Sequence, residues 1–146
     1  MGNKGLDEKI VLIKKIIDEN KISVGEIDTL AEIDYPLFSF KWLQNYSFVD
    51  CAEPKFFQHF LQRLQKLSAL GWKSIRVSGR HQYGMEKIPR KDIKPQALPG
   101  IVTPDVEEFD VFRAVGDNRP MIGLVQGRIF HVIFIEADFG DVYCHK

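Results

Sequence analysis

A chain of 146 residues, 45 % apolar and 27 % charged, has the length and balance of one domain around one core, which excludes a disordered polymer. No apolar run approaches the ~20 residues that cross a bilayer. Net charge is zero, yet the charges are segregated: residues 1–53 carry six Lys/Arg against ten Asp/Glu, or −4, residues 54–95 ten against two, or +8, and residues 96–146 four against eight, or −4. A basic centre between acidic ends can build a local positive patch on a neutral protein, or merely a set of solvated surfaces.

The N-terminus, MGNKGLDEK, lacks the apolar core of a secretory signal and the Ser or Thr of a myristoylation site. Cys51 and Cys144 show no metal-ligand spacing, so a reducing cytoplasm is the expected home, with no cofactor or metal. Ile10, Ile13 and Ile17 recur at helical spacing, predicting a helix over 8–19. Ser23 followed by Glu26 opens a second short helix carrying Ile27, Leu30 and Ile33. Phe38, Phe40 and Trp42 alternate with Ser39 and Lys41, the period of a strand with one buried face.

The clearest helix runs from Pro54 to Leu70, with Phe57, Phe60, Leu61, Leu64 and Leu67 as its core stripe. Pro54 suits a first helical position, and Gly71 suits the left-handed position that ends a helix. Trp72–Ser78 reads as a further short strand. Between Gly79 and Phe109, four prolines and two glycines predict a long irregular loop, basic through Arg80, Lys87, Arg90, Lys91 and Lys94.

Four strands follow: Val111–Gly116, Arg119–Val125, Arg128–Glu136 and Asp141–His145. Asp117-Asn118 and Gln126-Gly127 read as two-residue hairpin loops, and Asp138-Phe139-Gly140 as a three-residue one. The third strand is apolar on both faces and must be central and covered. The expected class is therefore α+β: N-terminal helices and a long helix packed on a C-terminal four-stranded antiparallel meander. A single domain, 1–146, divides into a helical part (1–35), a strand–helix–strand part (36–78), the Pro-rich basic loop (79–109) and the sheet (110–146).

With these loops, Arg113 lies opposite Ile122, Ile122 opposite His131, and His145 opposite Ile133. Arg113, His131, Tyr143 and His145 then share one neighbourhood, whereas a four-residue third loop swings Tyr143 and His145 to the other face. These residue types suit metal-independent RNA cleavage, which needs a base, an acid and a cation for the phosphorane charge. Arg80, His81, Arg90, Lys91, Lys94 and Arg119 are the candidate nucleic-acid contacts. The plainer alternatives are a satisfied core histidine at 131, a frayed His145, an Arg113 paired to Asp110, and a Tyr143 that only packs in the sheet. Asp141 with the two histidines matches no common metal site.

The stretch FRAVGDNRPMIGLVQGRIFHVIFIEADFGDVYCH, residues 112–145, with the strand at 38–43 and the helix at 54–70, resembles the RelE/ParE-like toxin superfamily. Those proteins place a strand and helices before an antiparallel sheet with an arginine-bearing hairpin, an apolar strand and a short Tyr-containing end. The resemblance implies cleavage of mRNA, free or on the ribosome, or gyrase inhibition, and a cognate antitoxin partner. By position it implies phosphate-gripping roles for Arg113 and Arg119 and an end-of-sheet catalytic pair in Tyr143 and His145. The chain is longer than the family's usual length and lacks its strong overall basicity. A module of similar fold that binds nucleic acid or protein without catalysis is the alternative.

Overall fold

The computed structural model describes residues 8–11, 33–45, 47, 53–79 and 82–145. The chain divides into two units, Met1–Ile33 and Asp34–Lys146. In the first, 8–11 is helical; the rest of the helix expected over 8–19, and nearly all of the one expected from Ser23, lie outside the described residues.

The second unit is α+β. Its elements run β1 (Leu37–Ser39), α1 (Pro54–Val77), β2 (Glu86–Pro89), β3 (Glu108–Arg113), β4 (Pro120–Gln126) and β5 (Ile129–Ile135). The strands form one five-stranded mixed sheet in the order β1-β5-β4-β3-β2. Only β1 is parallel to its neighbour, pairing Leu37 with Ile129 and Ser39 with His131. The expected four-stranded meander is thus three strands, β3 to β5, flanked by one strand from each side of α1 in the sequence.

α1 starts with Pro54 in its first turn and buries Phe56, Phe60, Leu67, Trp72 and Ile75. These pack with Phe112, Met121, Phe130, Val132 and Ile135 of the sheet, and Trp72 and Phe130 each lie against Phe112, with ring centroids 6.2 and 5.0 Å away. Each large side chain so buried contributes roughly 1.5–3 kcal/mol. Gly71 does adopt positive φ (80°), but there the helix kinks and does not end. The Trp72 N–H, freed by the kink, donates to the Asp34 carbonyl (2.7 Å), and the chain resumes helical form to Val77. The strand expected at Trp72–Ser78 is therefore helix, because the anchor from Asp34 replaces the broken intrahelical bond.

The other sheet face carries Phe109, Val111, Ile122, Ile133 and Phe134, and is covered by Ile93, Val102 and Val142. The segment expected as an irregular loop over 79–109 thus contains β2, a 3₁₀ turn at Arg90–Asp92, and apolar residues that roof this face. That roof explains why β5, lying between β1 and β4, is apolar on both sides.

The hairpin registers differ from expectation. Arg113 pairs with Pro120 and Val111 with Ile122, so the connection spans 114–119 and not two residues. Asp117 closes it by accepting the Arg119 N–H (2.9 Å), while Ala114 N–H reaches the Arg119 carbonyl (2.9 Å). The next turn is Gly127-Arg128, with Gly127 at φ 60° and Gln126 opposite Ile129. A bulge between Ile122 and Gly123 then puts Ile133 and Phe134 on the same face. It brings the His131 carbonyl so close that a Cβ at Gly123 would lie 2.0 Å from the oxygen and 2.9 Å from the Phe130 ring. Gly123→Ala must displace backbone, and a loss of about 1–3 kcal/mol in unfolding free energy is expected from urea titration.

The strand expected at Asp141–His145 is absent. One antiparallel bridge, Ile93 with Tyr143, is all that remains of it. The backbone N–H groups of Gly140, Val142 and Tyr143 go to the carboxylate of Glu136 instead of to a neighbouring strand.

Candidate nucleic-acid interface

α1 is 24 residues long and carries Lys55, His59, Arg63, Lys66, Lys73 and Arg76 without one acidic residue. The acid-free run extends over residues 54–85. Helix periodicity separates the two functions of α1: Phe56, Phe60, Leu64 and Leu67 face the core, and Lys55, His59 and Lys66 lie exposed beside them. Among the described residues, no carboxylate forms an ion pair with Arg63, Lys66, Lys73 or Arg76. Glu53 pairs with Arg119 (3.2 Å) and Asp34 with Arg128 (3.3 Å).

Midway along this helix a cleft of about 230 Å³ opens between His59, Gln62, Arg63 and Lys66 on one side and Tyr83, Val115 and Gly116 on the other. The Arg63 guanidinium lies over the Tyr83 ring, 4.3 Å from its centroid, and donates to the Gln82 carbonyl. Its Nε is buried without a hydrogen-bond partner among the described residues. Burial pushes Arg63 below the usual guanidinium range; Tyr83 opposes this and the charge of Arg113 adds to it.

The four residues expected to share a catalytic neighbourhood are distributed. Tyr143 and His145 do meet, with rings edge to face at 4.7 Å. Glu136, fully buried, organises them: Oε1 accepts from Gly140 N–H (2.9 Å) and lies 2.5 Å from His145 Nε2. Its Oε2 accepts from Val142 N–H (3.0 Å) and Tyr143 N–H (2.8 Å), and Phe139 stacks on the far side of the His145 ring (3.9 Å). The penultimate residue is therefore tied into the fold and is not a frayed end.

His131 stands apart, five residues before Glu136 on β5, opposite Leu124 and Ser39. The expected alignment of Arg113, Ile122 and His131 fails because Arg113 pairs four residues farther along β4, a separation of roughly 13 Å at strand rise. His131 Nε2 contacts the Gln126 side-chain oxygen (3.1 Å), and Nδ1 is buried without a partner among the described residues. Burial, then the charge of Lys41, lowers its pKa from the ordinary 6.5. The unfolded chain then takes up a proton near pH 6.5 that the folded chain refuses until lower pH. The stability this confers is complete above about 6.5 and is lost as pH falls toward the folded value. His131→Gln should flatten that part of a stability–pH curve measured between pH 7.5 and 5.

Among the candidate nucleic-acid contacts, Arg119 is built into the scaffold. It donates to the Ala137 carbonyl (2.7 Å), pairs with Asp117 (3.0 Å) and covers the Phe56 ring (4.6 Å). Arg90 donates to the Thr103 and Val106 carbonyls, both at 3.0 Å, and so pins the roof over the sheet. Lys94 reaches the Gly140 carbonyl, whereas Lys91 is exposed at the rim of a groove of about 540 Å³. Arg80 and His81 lie outside the described residues. Sequence reasoning passed over His59, Arg63, Lys66 and Tyr83; the absence of acids over 54–85 is the signal that points to them.

No family model, curated protein or solved structure matches the chain. The class defined by fold and site is thus an α+β protein whose one long described helix is basic along its solvent side. Among the described residues, no helix is long and apolar enough to cross a membrane.

Proposed function

We propose that this protein binds single-stranded RNA, holding its phosphate backbone along α1. The observation that carries this reading is the acid-free helix: its cations face solvent together, with no carboxylate of their own element to neutralise them. Placing like charges on one face is destabilising for an isolated fold and favourable when a polyanion neutralises them. Aromatic and cationic groups side by side, as with Arg63 and Tyr83, suit a single strand better than a duplex. Binding of labelled single-stranded RNA, DNA and duplex at several salt concentrations tests this. Salt-sensitive binding that favours the single strand is expected, and indifference to all three would remove the reading.

A second reading, a toxin-type endoribonuclease with a cognate antitoxin, has its support in the contact of Tyr143 with a Glu136-held His145. A carboxylate on one imidazole nitrogen orients the other for proton transfer. Tyr143→Phe keeps the ring and removes the hydroxyl. On this reading mRNA cleavage by the purified protein, with or without ribosomes, falls about 10²–10⁴-fold while the melting temperature holds. Unchanged cleavage would remove Tyr143 from the chemistry.

A further inference from the structure

We infer that the cleft between α1 and the β3–β4 connection is a discrete subsite for one phosphate group of the bound strand, with Arg63 as its central ligand. This rests on the RNA-binding reading and says where along α1 the backbone is gripped. Three independent observations converge there. First, His59, Arg63 and Lys66 stand at helical spacing around one concavity of about 230 Å³, a volume suited to a phosphate with its adjoining sugar. Second, Arg63 is pre-positioned: Tyr83 supports its flat face and the Gln82 carbonyl holds one amino group, leaving the Nε–H buried and without a partner among the described residues. A buried unpaired donor is costly, and a small movement of the side chain toward the cleft would let an anion satisfy it. Third, the opposite wall is Val115–Gly116, and a side-chain carbon built at Gly116 meets nothing within 4 Å, so there is open space beside that wall.

The group recognised is a phosphate oxygen pair, offered either by an internal diester or by a terminal monoester. Arg63 offers its remaining N–H donors to the oxygens, and Lys66 adds charge at the rim. A terminal monoester carries more negative charge and should bind more tightly where the strand ends in the cleft.

The test is NMR titration of the full ¹⁵N-labelled chain with three probes: inorganic phosphate, a uridine trinucleotide with a 5′-phosphate, and the same trinucleotide with a 5′-hydroxyl. Saturable shifts are expected at the Arg63 Nε–H and at the Tyr83, Val115 and Gly116 amides. Tighter binding of the 5′-phosphorylated probe assigns the cleft to strand ends, and equal binding assigns it to internal diesters; both support the subsite. Lys66→Gln, an exposed position, should weaken the cleft shifts roughly tenfold, the loss of one charge-assisted hydrogen bond, with the spectrum otherwise unchanged. Shifts spread along α1 with the Arg63 Nε–H and Gly116 unmoved would overturn the subsite and leave RNA binding standing. Cleft shifts with inorganic phosphate but none with either trinucleotide would keep the anion site and remove RNA as its ligand. Silence with all three probes overturns the subsite.

Discussion

Replacing Glu136 by Ala is expected to cost about 3–5 kcal/mol, a large fraction of the stability of a domain this size. The carboxylate is fully buried and is the common acceptor for three backbone N–H groups and the His145 ring. Removing it strands all four donors at once, and refolding of 137–145 is the only way to satisfy them. Glu136→Gln should be nearly as damaging, because its amide nitrogen would turn a donor toward donors. His145→Ala should cost less, since Glu136 keeps its three backbone partners. The ordering Glu136→Ala worst, Glu136→Gln next and His145→Ala mildest, read from urea midpoints, is the expected result. Equal midpoints for the three would show that the segment is held by Val142 and Tyr143 packing alone.

The second large effect is on binding. Lys66→Glu with Lys73→Glu puts two acids on exposed positions of a helix that has none. Single-stranded RNA affinity should fall at least about 100-fold at low salt, because two phosphate contacts are lost and two repulsions gained. The slope of log affinity on log salt should become shallower by roughly 1.4, at about 0.7 per phosphate contact on a single strand. Stability should hold or rise slightly, since both substitutions relieve repulsion along α1. A folded double variant that binds as the wild type does would place the RNA elsewhere.

Features carried by local periodicity were legible in the sequence. The helix from Pro54 and the two-sided burial of β5 follow from spacing within one segment; of the expected stripe Phe57, Phe60, Leu64 and Leu67 pack on the core, whereas Leu61 is 67 % exposed and Phe56 is buried. The features missed depend on partners distant in the chain. β1 pairs parallel to β5 across some ninety residues, for which a three-residue strand carries no local sign. The continuation of α1 past Gly71 depends on the Asp34 carbonyl. Glu136 looks like the polar end of a strand, and only the folded chain shows it buried and taking up the hydrogen bonds of the supposed fourth strand. Arg119 likewise reads as a hairpin flank until Asp117, Ala137 and Phe56 surround it. The basic centre was visible as a charge block, but its weight was assigned to the Pro-rich loop, where Arg90 and Lys94 brace carbonyls. Exposed cations stand on the helix as well as on that segment, where Lys91 is exposed.

The central claim, that the acid-free helix is a phosphate-backbone surface, is tested most directly by the salt dependence of wild-type binding to a single-stranded RNA longer than α1. Four cations in contact, among them Arg63 and Lys66, predict a slope of log affinity on log salt near roughly −3. A slope near zero, or no binding at low salt, would contradict it.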